Sequence, residues 1–387
     1  MNIEKNKSNF LWIVLLGINI GFIFLPSLYR EIYVFDWNDY GLHISFAQGL
    51  EAGEEIPAFS FAHPFWQLIV IFVHKAASIS FQKSAVIVQM TSYFSLALIL
   101  FRLLKKELKD YLSHFSIPLV IAMMIAAPVF LFVPMDELYY LGYIGISSYH
   151  NPTINLLKPF ALLIFVYALV AMDDQSKKGQ HIAIAACLTA ISALIKPSFV
   201  ICLLPALGLI VFFRILKKQG VNWKILIFGI CLPAVVVLIW QYYVAYVSDE
   251  PAVLFAPFEV MRSYSDFLLP KFLLSILFPL LVTIFYIKEV IKDQKMQLAW
   301  LVFFFGAIYT YFFAEGGSRF QHGNFGWSGE IALFVLFVIS TIFFFKRIAS
   351  QKQFIRTDKL LLAFGFSPHI IAGIIYYVHC LLENTFI

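Results

Sequence analysis

Asp36, Asp39 and His43 stand together directly after the first long apolar run, two carboxylates and an imidazole where the chain leaves a hydrophobic segment. On a helix, Asp39 and His43 are four apart and project from one face toward a common ligand. A carboxylate in a partly water-excluded pocket can take a proton from a sugar hydroxyl. A pair such as Asp36 and Asp39 can instead hold a divalent metal, Mg or Mn, that organises a phosphate. Simple interfacial polarity is the plainer account of the same residues.

Four other places carry groups of comparable chemistry. His63, Pro64, Phe65 and Trp66 open an apolar stretch and read either as an interfacial anchor or as part of a site. The segment from Asp136 and Glu137 to Thr153 is rich in tyrosine and presents His150 and Asn151 at its end, aromatic faces and an amide that suit a sugar or a headgroup. Lys196 breaks two short apolar runs with Pro197 and Ser198. The first of these spans roughly 22 Å of helix against roughly 30 Å of hydrocarbon, so the turn is recessed and its lysine wants a counter-charge such as phosphate. The stretch from Glu315 to Glu330 holds Arg319, His322, Asn324 and Trp327 among glycines: a guanidinium that can grip phosphate, hydrogen-bonding groups, and a stacking face.

The elements that position these groups follow from composition. Of 387 residues, 61% are hydrophobic and 13% charged, with a mean hydropathy of +0.83, against about 25% charged in a soluble domain. This reads as a polytopic, all-α membrane bundle forming one integral-membrane domain over 1–387, with no separate soluble domain. The net charge of +5 is spread over short basic clusters between apolar runs, which orientation in a membrane explains better than nucleic acid does. Cys187, Cys202, Cys231 and Cys380 lack the spacing of a metal site. The first run, 10–28, has no small-residue cleavage site after it and reads as a retained span.

Apolar runs lie near 10–28, 64–81, 84–101, 115–134, 156–172, 181–195, 198–213, 225–247, 271–287, 298–313, 331–345 and 359–378. Threading all of them would put the basic cluster at 102–109 outside, against the positive-inside rule. The run 64–81, which carries His74 and Lys75, suits an interfacial helix better than a span. Without it, about eleven spans place 20 of the 28 Lys and Arg inside. The N-terminus is then cytoplasmic and the C-terminus external. The loops 29–83, 135–155, 248–270 and 314–330 all fall on the external face, and they hold nearly all the polar clusters above. The spans carry no file of acidic residues such as a proton-coupled transporter would need, and there is no P-loop, GxSxG or HExxH motif. His369 and His379, in the last run, read as packed or interfacial.

A first span, an acidic outer loop with Asp36 and Asp39, the His63-Pro64 helix, a basic inner cluster and the Lys196-Pro197-Ser198 break together resemble the GT-C superfamily of polytopic glycosyltransferases. The resemblance covers a core of about 1–215, with further transmembrane helices over 216–387. It implies a sugar donor linked to polyprenyl phosphate, a glycan, lipid or protein acceptor, and an external site in a plasma or bacterial inner membrane. A first-loop aspartate would act as base or metal ligand: Asp39 first, Asp36 second. The chain departs from the family in lacking a soluble C-terminal domain and in spacing its acids as Asp36-x-x-Asp39. The expected roles are Asp39 as base in an inverting transfer, Lys196 and Arg319 on the departing phosphate, and His43, His150 and His322 as orienting groups. Alternatives are a flippase or transporter of lipid-linked saccharide, and a polysaccharide polymerase or ligase.

Overall fold

Long apolar runs with polar breaks build helices, because in hydrocarbon every backbone N–H and C=O must be satisfied within its own segment. The computed structural model describes residues 2–35, 38–108, 111–136, 139–173, 179–247 and 253–382. In chain order the main elements are α1 (Asn2–Tyr33), α2 (Asp39–Ala52), α3 (Phe65–Ala77), α4 (Phe81–Leu108), α5 (Ser116–Ile125), α6 (Pro152–Ala171), α7 (Gly179–Ile195) and α8 (Ser198–Leu216). A π-helical stretch, Ile225–Cys231, runs into α9 (Leu232–Tyr242). There follow β1 (Val253–Phe255), α10 (Leu268–Ser275), α11 (Leu277–Phe285), α12 (Gln294–Phe312), β2 (Phe313–Glu315), α13 (Gly326–Gln351) and α14 (Ser367–Leu382). The protein is an all-α, multi-pass membrane bundle. Among the described residues, seven helical segments are long and apolar enough to cross a membrane, or eight when the bent pair α10 and α11 is counted as one span.

The axis of the bundle is α13, which packs against α12, α8, α11, α4 and α6. Its hydrophobic stretch is 83% buried, so it is apolar all round because protein surrounds it. Small residues let α12 and α13 touch: a Cβ on Gly306 would lie 2.7 Å from the Ser328 carbonyl oxygen, and one on Gly329 would overlap Thr310 Oγ1. The outward faces carry exposed apolar side chains, among them Phe22 on α1 and Ile239 on α9. β1 and β2 form a short antiparallel pair with Val253 opposite Glu315, which ties the chain after α9 to the segment leading into α13.

Several elements differ from the sequence expectation. The run 115–134 gives only the ten-residue helix α5 and then an extended segment, because Pro128 disfavours helix at the residue before it. The run 271–287 bends by 66° between α10 and α11. The run 64–81 is helical only to Ala77, where Ser78 takes a left-handed conformation and the chain turns into α4. The stretch 314–330 is no plain loop: β2, a 3-10 turn over Gly317–His322 and the first turn of α13 fill it, so Trp327 and Glu330 are helical. Trp66 is fully buried, where an interfacial anchor would be exposed.

The two breaks at α5 and α11 share one splint. His369, fully buried on α14, places Nδ1 2.7 Å from the Ala127 carbonyl, and its Nε2 accepts from the Phe278 N–H at 3.2 Å. Each bond satisfies a backbone group that a helix break would orphan. Gly373 on the same helix admits the α5 terminus, since a Cβ there would collide with the Ile125 carbonyl. His369→Ala should cost about 1–3 kcal/mol for each abandoned group, read as a lowered Tm in detergent. An unchanged Tm would remove the splint role.

Candidate functional site

Asp39 owes its place to two caps. Asn38 is the N-cap of α2: its side chain accepts from the Gly41 N–H at 2.8 Å, while its amide donates to Glu31 Oε2 at 2.9 Å on α1. Asp39 is thus the first residue of α2, where the helix N-terminus favours a negative charge. Asn151 caps α6 in the same way, its Oδ1 accepting from the Ile154 N–H at 2.9 Å and from Thr153 Oγ1 at 2.8 Å. With the oxygen so used, its amide must point outward, and it donates to Asp39 Oδ2 at 2.5 Å. Lys196 Nζ donates to Thr153 Oγ1 at 3.3 Å, so one chain of hydrogen bonds runs from the lysine through Thr153 and Asn151 to the aspartate.

Asp39, Asn151 and Lys196 border a cavity of about 680 Å³ that also takes in His43, His63, Arg319, His322, Asn324 and Trp327. The helical spacing of Asp39 and His43 does bring both to one ligand space. Lys196 lies with its ammonium 4.7 Å from the centre of the Trp327 ring, a cation held over an aromatic face. Arg319 Nη2 is 3.0 Å from Glu315 Oε2, which also accepts from Asn324 Nδ2 at 2.6 Å. Glu315 therefore aims Arg319 and Asn324 from behind. A second cavity of about 500 Å³ shares His63, Lys196, Arg319 and Asn324 with the first and continues between α8 and α9 along Ile201, Val235, Ile239 and Tyr242. Ile239 is 65% exposed, so this groove opens on the outer face of the bundle.

Burial sets the protonation of the ring. It pulls His43 down to about 4 against the opposing charge of Asp39. It pulls His63 to about 3, with Lys196, His43 and Arg319 pushing the same way. His150, buried at the edge of the site, is lowered by the same cause. All three are neutral imidazoles near pH 7, groups for hydrogen bonding rather than fixed charges. Burial also lowers Lys196 to about 8, opposed by Asp39, Glu330 and Glu315.

Behind Asn151 and Trp327 sits a network that the sequence reading left without a role. Glu330, buried on α13, accepts from Ser148 Oγ at 2.9 Å and from the Tyr140 hydroxyl, and lies 3.9 Å from Lys158 Nζ. Lys158 Nζ in turn donates to Asn155 Oδ1 at 3.2 Å. Tyr140 packs edge-on to His150 at 5.3 Å between ring centres, and His150 lies 5.6 Å from Trp327. The available signal was Lys158 itself, an ionisable residue inside the apolar run 156–172. Gln67 was missed as well. Gln67 borders the cavity, its Nε2 is 2.9 Å from His43 Nδ1, and its buried Oε1 has no hydrogen-bond partner among the described residues.

Asp36 and Glu137 lie outside the described residues, as do 174–178 and 248–252. Among the described residues, no three His, Cys, Asp or Glu side chains group as a metal site. The other residues expected to bind substrate all border the 680 Å³ cavity except His150 and Glu315, one lining a smaller cavity beside Asp39 and the other the apolar groove. No protein-family model, curated protein or solved structure matches the chain.

Proposed function

We propose that the chain is a membrane glycosyltransferase that moves a sugar from a polyprenyl-phosphate-linked donor to an acceptor hydroxyl on the extracytoplasmic side. The observation that carries this reading is that Asp39, Lys196 and Arg319, drawn from three distant segments, border one cavity. That cavity opens into an apolar groove at the two cations. A phosphate at Lys196 and Arg319 would leave its isoprenoid chain along Ile201, Val235 and Ile239, and its sugar beside Asp39.

In the proposed step Asp39 takes the proton of the acceptor hydroxyl. The hydroxyl oxygen bonds to the anomeric carbon from the face opposite the phosphate. The carbon–oxygen bond to phosphate then breaks, its electron pair going to the phosphate oxygen. The anomeric centre inverts, the lipid phosphate leaves with one more negative charge, and Lys196 and Arg319 meet that charge. His43, His63 and His322 orient the sugars by hydrogen bonds. Asn151 fixes the carboxylate, and Glu315 fixes Arg319.

The threading belongs to the same proposal. Adding the bent pair, α12 and the shorter α5 and α7 to the seven long segments gives eleven crossings, with α3 along the interface, the N-terminus cytoplasmic and the cavity external. The competing reading is a flippase that binds the same lipid-linked saccharide and breaks no bond. Purified protein in detergent, given a radiolabelled polyprenyl-phosphate sugar and acceptor glycans, should form glycosylated product with no gradient. Movement of intact donor across vesicles without product would sink the glycosyltransferase reading.

A further inference from the structure

Asp39 stands between two cavities of different chemistry. Beside Asp39 and Trp327 lies a cavity of about 200 Å³ that Lys196 does not line, less than a third of the larger one, and the two share Asp39, His322 and Trp327. Its walls carry the rings of Tyr140, Tyr143, Tyr264 and Trp327. Among the described residues no lysine or arginine lines it, whereas Lys196 and Arg319 both line the larger. Lys271 is fully buried behind the wall, its ammonium 4.6 Å from the centre of the Tyr143 ring and donating to the Leu141 carbonyl at 3.1 Å, while Lys196 stays outside the wall, 4.7 Å from the centre of the Trp327 ring. An anionic ligand would meet Asp39 with no cation in the wall to hold it. Behind the wall the buried charges oppose each other, since an added Cβ would sit 3.2 Å from Lys271 Nζ at Gly142 and 3.1 Å from Glu330 Oε2 at Gly145. With no lysine or arginine in its described wall and opposed charges behind it, the cavity suits an uncharged ligand.

We infer that this smaller cavity is the acceptor subsite and receives one uncharged sugar ring, its hydroxyl directed at Asp39. The inference rests on the glycosyltransfer reading and names its second substrate. The volume is below the roughly 300–1,000 Å³ of pockets for drug-sized ligands, room for a ring and not for a chain. Aromatic faces present apolar area to the C–H face of a sugar, and the histidines and hydroxyls serve its rim. The rings are held in place: Tyr140 by Glu330, and Tyr264 by its hydroxyl bond to the Gln321 carbonyl. Gly323, at φ +62°, lets Tyr264 approach, since a Cβ there would lie 3.1 Å from its hydroxyl oxygen. The Tyr264 hydroxyl reaches the Gln321 carbonyl, two residues along the chain from Arg319.

Steady-state kinetics on purified protein test this with the Tyr264→Ala and Tyr264→Phe variants and neutral glycan acceptors. Tyr264→Ala should raise the acceptor KM about tenfold, the worth of an aromatic contact, and leave the donor KM within twofold. Tyr264→Phe, which keeps the ring, should restore most of the loss. Saturation-transfer NMR with a panel of neutral methyl glycosides should give signals on wild type that Arg319→Ala keeps and Tyr264→Ala loses. A rise in donor KM instead, or glycoside signals undiminished in a folded Tyr264→Ala protein, overturns the assignment while transfer by wild type leaves the enzyme reading standing. No transfer by wild type at all removes the enzyme reading and the subsite with it.

Discussion

Asp39→Asn should abolish sugar transfer while the protein stays folded and keeps its lipid phosphate. A general base is worth about 10²–10⁴ in rate, and asparagine has no basic oxygen to take the acceptor proton. The change is nearly isosteric. The new amide can turn its oxygen toward Asn151 Nδ2, so the 2.5 Å contact keeps its donor and acceptor, and the cap of α2 belongs to Asn38 and is untouched. Only the favourable charge at the helix start is lost, about 0.3–1 kcal/mol. Initial rates beside a melting curve in detergent decide it, and full activity in a folded variant would end the assignment. The same assay with a chelator separates the two roles open to this carboxylate. A base works in the absence of divalent ions. If Asp39 holds Mg or Mn with Asp36, chelation abolishes wild-type transfer and the added metal restores it.

The sequence was most informative where local chemistry and membrane threading agree. The Asp39 and His43 spacing held because the cap Asn38 starts a helix at the right residue. The loops 29–83, 135–155 and 314–330 meet around the 680 Å³ cavity, and 248–270 joins them at the smaller one beside Asp39. What could not be read is whatever depends on tertiary partners. Run length alone suggested full spans at 115–134 and 271–287. Pro128 disfavours helix at the first break, and both breaks are tolerated because His369, far along the chain, supplies hydrogen bonds that water cannot. Glycines made 314–330 look like a loop although α13 begins inside it at Gly326. Asn151 and Glu315 were expected to touch substrate. Both border the cavities, and in addition Asn151 holds Asp39 while Glu315 holds Arg319 and Asn324, contacts that only the tertiary fold brings about. Lys158 and Glu330 went without a role because neither has a partner nearby in sequence to reveal the pair.

Lys196 gives the second large effect, and its signature is a pH profile. Burial over Trp327 holds its ammonium near a pKa of about 8, and the nearby carboxylates keep it from falling further. The charged form is the one that meets the departing phosphate. Transfer should therefore be sustained below about pH 8 and fall as pH rises through it, since deprotonation removes the charge. Lys196→Met should cost about 10²–10³ in kcat at neutral pH, the usual worth of one group stabilising charge at a reacting centre. It should also lose the alkaline limb, because nothing remains there to titrate. Lys196→Arg should keep part of the rate and carry it well above pH 8, since a guanidinium stays protonated throughout. An unchanged alkaline limb in Lys196→Arg would assign the limb to another group and take Lys196 off the leaving phosphate. Arg319→Ala separates binding from chemistry in the same series. Its guanidinium is already neutralised in part by Glu315, so its removal should raise the donor KM more than it lowers kcat. Lys196, joined to Asp39 through Thr153 and Asn151, should show the reverse.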